Sequence, residues 1–317
     1  MGSTLGMFAL GLFLLLLGGD SAVRGASGLA QRFGLSPFRT GLLLISFATS
    51  VPVLAVNAYA FAVGQTEMAL GNIIGGNIAG IGLVLALAAL FAPLLLGMRL
   101  LAAEAVFVLV ASGVLLMFGL DGSIGRWEGA ALLAGFLAYL AFVFRRADEE
   151  SATVQKELAE FSVTSTGLVQ NLIRIAFAGG LLFFGSRLVV DSAPQIGLAL
   201  GLDPMRTGLL VVAIGTALPS IVATAISARN GHGNVVAGQV LGACLFNVLF
   251  IVGALAVLRP LELPGSFVTL QLPGAMAFAL LLYPVLGGEL KLAKRESGWL
   301  LLAFSLWLGI ELLVAFG

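Results

Sequence analysis

Two short segments of the chain place a proline and small hydroxyl residues inside otherwise apolar stretches. They read "ATSVPVL" (48–54) and "GTALPSI" (215–221). Because proline has no N–H, each one leaves the carbonyl four residues earlier, that of Ala48 or Gly215, without its helical partner. Thr49 and Thr216 stand beside these carbonyls, and carbonyl and hydroxyl oxygens are the ligands that hard cations take. The pattern predicts a cation site; a packing kink whose backbone is satisfied by Ser or Thr is the alternative.

The apolar stretch that follows each segment adds polar amides. The two stretches are "GNIIGGNIAG" (71–80) and "GQVLGACLFN" (238–247). Glycines four residues apart let another helix approach closely, whereas amides inside a membrane need partners and mark functional sites. The predicted substrate-binding or ion-binding residues are Ala48, Thr49, Ser50, Val53, Asn72, Asn77, Gly215, Thr216, Ser220, Gln239 and Asn247.

Two pairs of opposite charges also lie within apolar stretches. Asp20 and Arg24 are one helical turn apart and can pair, and so can Arg187 and Asp191, in which the signs are swapped. Ionisable residues inside a membrane are functional candidates. These pairs are predicted either to supply a coupling site, with Asp20 or Asp191 binding a proton, or to be self-neutralised pairs that hold long spans in place.

The composition is that of a membrane protein. Of 317 residues, 60% are hydrophobic and 10% are charged, and the mean hydropathy is +1.10, whereas a soluble domain carries about 25% charged residues. The formal net charge of zero gives no sign of a nucleic-acid partner. Cys244 and His232 are the only residues of their types, which leaves no intrachain disulfide, no Cys–His metal cluster and no Cys–His catalytic pair. We therefore expect no enzyme, no cofactor and no certain metal site, and membrane lipid as the surroundings.

Apolar stretches that can cross a bilayer, which takes about 20 residues, occur ten times. They cover residues 4–31, 41–63, 69–92, 101–119, 127–144, 168–198, 208–228, 235–258, 267–287 and 298–316. The start of the chain has no positive charge before its apolar core and is taken as the first span, not a signal peptide. Lys and Arg collect mostly on one side of the alternating spans, which puts that side in the cytoplasm and both termini outside. This predicts a multi-pass protein of the cytoplasmic membrane, with Glu104 and Glu311 near span ends and reaching toward the interface.

The chain repeats itself with an offset of 167 residues. The aligned segments are "FGLSPFRTGLLLISFATSVPVLA" (33–55) and "LGLDPMRTGLLVVAIGTALPSIV" (200–222). The same offset pairs Gly71 with Gly238. A repeat of five spans must return in the opposite orientation, and such inverted repeats are typical of secondary transporters, with the substrate between them. The predicted fold is all-α and membrane-integral: ten helices in two inverted five-helix repeats (1–144 and 168–317), joined by a solvated cytoplasmic linker (145–167).

These features resemble the cation/calcium exchanger superfamily, which includes sodium/calcium and proton/calcium exchangers. In that family each repeat resembles G-T-S-x-P-E-L followed by G-N-x-x-G-S-N-x-x-N, and the resemblance covers essentially the whole chain. It implies the family's fold and its cation antiport by alternating access. The departures fall on the cation ligands that the resemblance implies. The family's two glutamates correspond to Val53 and Ser220, the serine of G-S-N to Gly76 and Ala243, and the last polar residue to Gly80 and Asn247.

The loss of both carboxylates bears on the transported substrate. A divalent ion in a low-dielectric site without a carboxylate would be left uncompensated. We therefore expect a secondary-active transporter that moves a monovalent or proton-coupled cation, and not the classical exchange of calcium. Two alternatives stay open: a transporter of the same fold recruited to a small or lipid-derived solute, and a non-transporting scaffold. The sequence leaves the identity of the substrate and the oligomeric state open.

Overall fold

The structure is a computed structural model of the chain. It describes residues 1–47, 50–96, 100–286 and 291–316. Two of the predicted site residues, Ala48 and Thr49, lie outside these ranges. Within them the regular structure is helical apart from four two-residue strands.

The first repeat contains seven α-helices and two strands in the described ranges. They are α1 (Gly2–Arg32), α2 (Pro37–Phe47), α3 (Ser50–Ala62), α4 (Thr66–Ala79), α5 (Ala86–Phe91), β1 (Leu94–Leu95), α6 (Leu100–Phe118), β2 (Ser123–Ile124) and α7 (Arg126–Arg146). A π-helical turn, Gly80–Leu85, joins α4 to α5. Helix α8 (Ala152–Ser162) follows in the linker.

The second repeat has the same order of elements. They are α9 (Leu168–Ala199), α10 (Pro204–Arg206), α11 (Ala213–Arg229), α12 (Gly233–Leu245), α13 (Gly253–Leu258), β3 (Leu261–Glu262), α14 (Leu272–Leu286), β4 (Lys291–Leu292) and α15 (Lys294–Phe316). A π-helical turn, Phe246–Val252, joins α12 to α13 at the place where the first repeat has its own. Such turns occur often at functional sites. Two more π-helical turns lie at Thr207–Val212, between α10 and α11, and at Phe267–Gln271, before α14.

The predicted spans are confirmed as helices. Eight helical runs of the described chain are long and apolar enough to cross a membrane. Two further apolar helices, Ser50–Ala62 and Phe267–Leu282, are shorter. All of these helices coincide with predicted spans, so the chain has the fold of an integral membrane protein with close to ten spans.

Two short antiparallel sheets tie the repeats together. Strand β1 pairs with β4, and β2 pairs with β3, so each strand has its partner in the other repeat. Because the whole of α6 separates β1 from β2, the two sheets lie at opposite ends of the helices. Each sheet therefore joins two loops that the alternation of spans assigns to the same side.

The centre of the molecule is formed by the two runs that carry the predicted amides. These central runs are Thr66–Phe91 and Gly233–Leu258, and 72% and 78% of their apolar segments are buried, against at most 44% in the other long helices. The first run also meets the second repeat backbone to backbone. A Cβ on Gly71 would collide with the carbonyl of Met205, and a Cβ on Gly208 would collide with that of Met68. Glycine at both positions is what allows this approach.

The linker is more ordered than the sequence predicts. Helix α8 packs on α2, where a Cβ on Gly41 would collide with the backbone of Leu158. The Glu150 carboxylate accepts a hydrogen bond from the first amide of α6, that of Leu100, at 2.8 Å. The Glu157 carboxylate accepts from the Asn234 side chain at 2.7 Å. Linker carboxylates therefore cap one helix in each repeat, because helix N-termini leave N–H groups unsatisfied.

The prediction that Glu104 and Glu311 reach toward the interface is wrong. Glu104 is 1% exposed and accepts a hydrogen bond from the Tyr139 hydroxyl at 2.9 Å. Glu311 is fully buried, and the Gln271 amide donates to both of its oxygens at 3.0 Å. Proximity to a span end did not predict their environment, because Tyr139 of α7 binds Glu104, and Gln271 in the turn before α14 binds Glu311.

Candidate functional site

A small cavity lies between α3, the two central runs and α11, at the centre of the molecule. Its volume is about 50 Å³. A buried water needs at least about 10–15 Å³ by the same measure, whereas pockets for organic ligands span about 300–1,000 Å³. The cavity therefore has room for a small ion with one or two waters, and not for an organic solute.

The two repeats line this cavity unequally. From the first repeat come Val53, Gly76, Gly80 and Val84, none of which carries a polar side chain. From the second repeat come the polar residues Thr216, Ser220, Thr224, Gln239 and Asn247, together with small or apolar neighbours. Among the described residues, the side chains that could bind a polar substrate at the centre thus belong to the second repeat.

The threonine hydroxyls of the cavity have already used their protons. Thr216 Oγ1 donates to the carbonyl of Ala213 at 3.1 Å. Thr224 Oγ1 donates to the carbonyl of Ser220 at 2.7 Å. A hydroxyl has one proton and two lone pairs. Once the proton is bound to the backbone, the free part of each hydroxyl can only accept, which suits a cation.

A chain of hydrogen bonds orients the amide of Asn247. Asn77 Nδ2 donates to the carbonyl of Cys244 at 3.3 Å, and this carbonyl can only accept. Asn77 therefore presents its Oδ1, which receives Asn247 Nδ2 at 2.8 Å. The remaining oxygen, Asn247 Oδ1, is buried without a donor, and so is Gln239 Oε1. An orphaned buried acceptor indicates a missing partner, and a cation in the cavity would supply it.

The other predicted amides form a separate buried pair. Asn72 Nδ2 donates to Asn57 Oδ1 at 2.9 Å, and neither residue lines the central cavity. Ser50 is also fully buried, with its hydroxyl unpartnered. The sequence reading missed Asn57 and Thr224. The repeat offset could have found them, because position 57 plus 167 is 224, and both residues are polar within apolar helices.

Gly215 is not brought to the cavity wall. A Cβ on Gly215 would lie 3.0 Å from the ring of Phe8 on α1. This face of α11 is therefore packed against α1. The helix continues through Pro219 from Ala213 to Arg229.

Both predicted charge pairs are formed. The Arg24 Nε to Asp20 Oδ2 distance is 2.8 Å, and the Arg187 Nε to Asp191 Oδ2 distance is 3.4 Å. All four side chains are more than half exposed. Asp20 also lines a second pocket of about 220 Å³, which we call the lateral pocket, and Thr216, Ser220 and Gln239 of the central cavity line it too. Arg187 and Asp191 line a different pocket of about 580 Å³.

The central site offers neutral oxygens only. None of the described residues that line the cavity is a carboxylate. In the described part of the chain, no group of three or more His, Cys, Asp or Glu residues could hold a metal ion. The arrangement can therefore bind a cation by dipoles and lone pairs, and not by direct charge neutralisation.

The chain is similar to known membrane proteins along most of its length. The sequence pattern of the family described as "Sodium/calcium exchanger protein" matches residues 3–145 and 171–316. The chain is 29% identical to the putative antiporter CaxA of Alkalimonas amylolytica over 92% of this chain and 93% of that protein. It is 30% identical to the inner membrane protein YrbG of Escherichia coli over 81% of this chain and 80% of that protein.

The fold is also similar to that of a solved transporter. The structure of the sodium-calcium exchanger NCX_Mj, soaked with Na⁺ and Sr²⁺, aligns with a TM-score of 0.68 at 26% sequence identity. The alignment covers 96% of this chain and 98% of that one. Similarity therefore extends over both repeats.

Proposed function

Because the chain belongs to the sodium/calcium exchanger family of membrane antiporters, we propose that it exchanges a monovalent cation through the central cavity by alternating access between its two repeats. The observation that carries the proposal is the lining of that cavity. It presents acceptor oxygens of Thr216, Thr224, Gln239 and Asn247 without a carboxylate among the described residues.

The charge of the substrate follows from this lining. Neutral oxygens can replace the hydration shell of a monovalent cation, as rings of carbonyls do in potassium channels. Calcium usually takes several carboxylate oxygens. Val53 and Ser220 line the cavity at the positions where the resemblance implies glutamates. A divalent ion would bring two charges into a site with no compensating charge at the centre.

Relatives support the exchange of sodium as one partner ion. A relative of similar fold is named a sodium-calcium exchanger and was studied with Na⁺, and another is named an antiporter. For this chain we propose Na⁺ or K⁺ as the cavity ion, with a second cation or a proton moving in the opposite direction. We propose no enzymatic activity for this chain.

The distribution of Lys and Arg and the name of one relative support a membrane and an orientation for the protein. We propose that the protein lies in a bacterial cytoplasmic membrane with both termini outside. The excess of Lys and Arg on one side of the spans supports this orientation. The relative from Escherichia coli is named an inner membrane protein.

A second candidate is transport of a small or lipid-derived solute by the same fold. The lateral pocket favours it, because most of its lining is apolar and includes Leu12, Leu15, Leu16 and Val23 of α1. Its volume of about 220 Å³ lies below the range of about 300–1,000 Å³ that is usual for organic ligands. The cation proposal therefore ranks first, and a scaffold without transport ranks behind both.

The test is ion flux into proteoliposomes that contain the purified protein, with sodium, potassium, calcium and pH reporters run in parallel. We expect flux of a monovalent cation and none of calcium. Thr224→Val, which removes a cavity oxygen, should raise the KM for the cation about tenfold, the loss expected for one uncharged ligand. Thr269→Val is the matched control, since Thr269 also donates to a carbonyl four residues earlier but is exposed. Calcium exchange by the wild type, or equal effects of both variants, would overturn the proposal.

A further inference from the structure

We propose that Asp20 supplies the negative charge of a second, lateral cation position beside the central cavity. The inference rests on the proposed cation transport, because it assigns a further binding place to the same ion. It selects Asp20, and not Asp191, the acidic member of the repeat-related ion pair, as the charge that serves the site.

The lateral pocket brings Asp20 to the polar half of the site. The pocket lies between α1 and α11, and Thr216, Ser220 and Gln239 line both it and the central cavity. Gln239 is 5% exposed, and its Oε1 has no hydrogen-bond donor. An unpaired acceptor thus stands where the two spaces meet. A cation that leaves the cavity on this side encounters neutral oxygens first and the carboxylate next.

The Asp20 carboxylate forms an ion pair with Arg24, whose positive charge occupies the position proposed for the cation. Arg24 Nε donates to Asp20 Oδ1 at 3.0 Å and to Oδ2 at 2.8 Å. The side chains are 62% and 57% exposed, so the protein does not enclose the pair. Because Asp20 lines the lateral pocket and Arg24 does not, a cation in the pocket can displace the guanidinium group from Asp20, and Arg24 can return when the cation has left. Asp20 would therefore pair in turn with Arg24 and with the transported cation.

The swap of signs between the repeats agrees with this assignment. Position 20 plus 167 is 187, so the repeat equivalent of Asp20 is Arg187. Asp20 faces the half of the site that is polar, whereas the other half is lined by Val53 and glycines. A carboxylate therefore faces the site only where the lining is polar, which is where Asp20 lies. The second carboxylate, Asp191, lines the pocket of about 580 Å³, which contains no described residue of the central cavity.

No other charge competes in the lateral pocket. From α3 it is lined by Pro52, from α11 by Pro219 and Ala223 besides the residues shared with the cavity, and from α1 by aliphatic residues and Gly19. Within the described chain, Asp20 is the only titratable residue on its wall. The local potential is therefore set by Asp20 and by the position of Arg24.

Four variants in two matched pairs test the proposal. Asp20→Asn is compared with Asp191→Asn, and Arg24→Gln with Arg187→Gln, since each pair changes the same chemistry in equivalent ion pairs. Two quantities are measured: the KM for Na⁺ and K⁺ in the flux assay, and the rise in Tm of the purified protein when NaCl or KCl replaces choline chloride. Cation binding to the folded state raises the Tm.

We expect Asp20→Asn to raise the KM about tenfold, because a close opposite charge is lost, and to reduce the cation-induced rise in Tm. Arg24→Gln should lower the KM, because it removes the competing guanidinium. Asp191→Asn and Arg187→Gln should each change the KM by less than about twofold, because their pocket shares no described residue with the central cavity.

Equal effects of the Asp20 and Asp191 variants on the KM would overturn the lateral position. The proposed function would still stand if the wild type carried a monovalent cation. If the wild type showed neither monovalent flux nor a cation-dependent Tm, the proposed function would fail, and the lateral position with it. Should Asp20→Asn not fold, the decision passes to Arg24→Gln, for which an unchanged KM contradicts the proposal. The double variant Asp20→Asn with Arg24→Gln, compared with Asp191→Asn with Arg187→Gln, controls for leaving a single unpaired charge.

Discussion

Asn77 and Cys244, which occupy the same position in the two repeats, touch each other at the centre of the molecule. Asn77 Nδ2 donates to the carbonyl of Cys244 at 3.3 Å, and Cys244 Sγ lies 3.9 Å from the carbonyl of Asn77. Residues related by a two-fold axis can meet each other only close to that axis. The approximate axis between the repeats therefore passes beside this contact. Since Cys244 also lines the central cavity, the cavity lies where the repeats meet.

Replacing Asn77 should disturb both stability and cation binding. Asn77→Leu leaves the buried Asn247 Nδ2 without its acceptor, which should lower the free energy of unfolding by about 1–3 kcal/mol. The KM for the cation should rise as well, because the Asn247 oxygen is no longer held toward the cavity. Cys244→Ala is the control, since it keeps the carbonyl that Asn77 binds. Thermal unfolding and flux measure the two effects, and a Cys244→Ala variant with the larger KM would contradict this account.

Restoring the two carboxylates should restore divalent binding. Val53→Glu combined with Ser220→Glu places two acidic groups on opposite walls of the cavity. Without a divalent ion two half-buried carboxylates are left unpaired beside each other in the cavity, a costly state, so the Tm should fall in a chelator. Calcium should raise the Tm again by mass action. The double variant Val53→Gln with Ser220→Gln has the same size without the charge, and a calcium response of this control would show that carboxylates are not the cause.

The repeat pattern explains why so much of the fold could be predicted. Helix length and the proline–glycine order are local properties of the sequence, and the offset of 167 residues implies inversion once each repeat has five spans. The site was predicted less completely. Asn72 lies in the predicted stretch but binds Asn57 instead of facing the cavity. Which face of a buried helix points inward depends on its neighbours, and a helix that is apolar all round gives no periodic signal for this.

The glycines at the contact between repeats should be sharply unequal in their tolerance of alanine. Gly71→Ala places a Cβ against the backbone of Met205, and backbone cannot rotate away as a side chain does. Overpacking of this kind costs about 1–3 kcal/mol or more. Gly80→Ala, in the same central run, meets only Val240 Cγ1 at 3.6 Å, an ordinary contact. Thermal unfolding of the two variants in detergent compares them, and equal Tm values would refute the close backbone approach.

Loss of the linker cap on α12 should destabilise the first turn of that helix and leave distant helices unchanged. Glu157→Gln removes the charge at the N-terminus of α12, where Asn234 and the Val235 amide bind it. Loss of a cap costs about 0.5–2 kcal/mol. Hydrogen exchange should therefore speed up in the first turn of α12 and stay unchanged in α15. Glu160→Gln is the control, because Glu160 is exposed and pairs with Lys156 at 3.8 Å. Faster exchange in both variants would mean that linker charge in general, and not the cap, matters.

The same limit on sequence reasoning applies to the two buried glutamates, which differ in a way that only tertiary contacts reveal. Glu104 has one hydrogen bond, from Tyr139, and its Oε2 has no partner. Glu311 has both oxygens bound by Gln271, and Arg206 Nε lies 3.6 Å from Oε2. One carboxyl is therefore buried with no described cationic partner, and the other belongs to an ion pair. Both positions read alike as acidic residues near span ends.

The two glutamine variants should consequently differ in stability, and only the Glu311 variant should lose it. Glu104→Gln keeps an oxygen for Tyr139 and removes a group whose charge would be expensive to bury, so the free energy of unfolding should stay equal or rise by up to about 1 kcal/mol. Glu311→Gln turns an NH₂ group toward Gln271 or Arg206 and leaves the Arg206 guanidinium, which is only 11% exposed, with less compensation. Removing one partner of a buried pair costs about 3–5 kcal/mol, and the remaining contact of Arg206 with Asp203 places this case at the lower end. Chemical unfolding in detergent at neutral pH measures both. A similar loss in the two variants would show that Glu104 also has a positive partner.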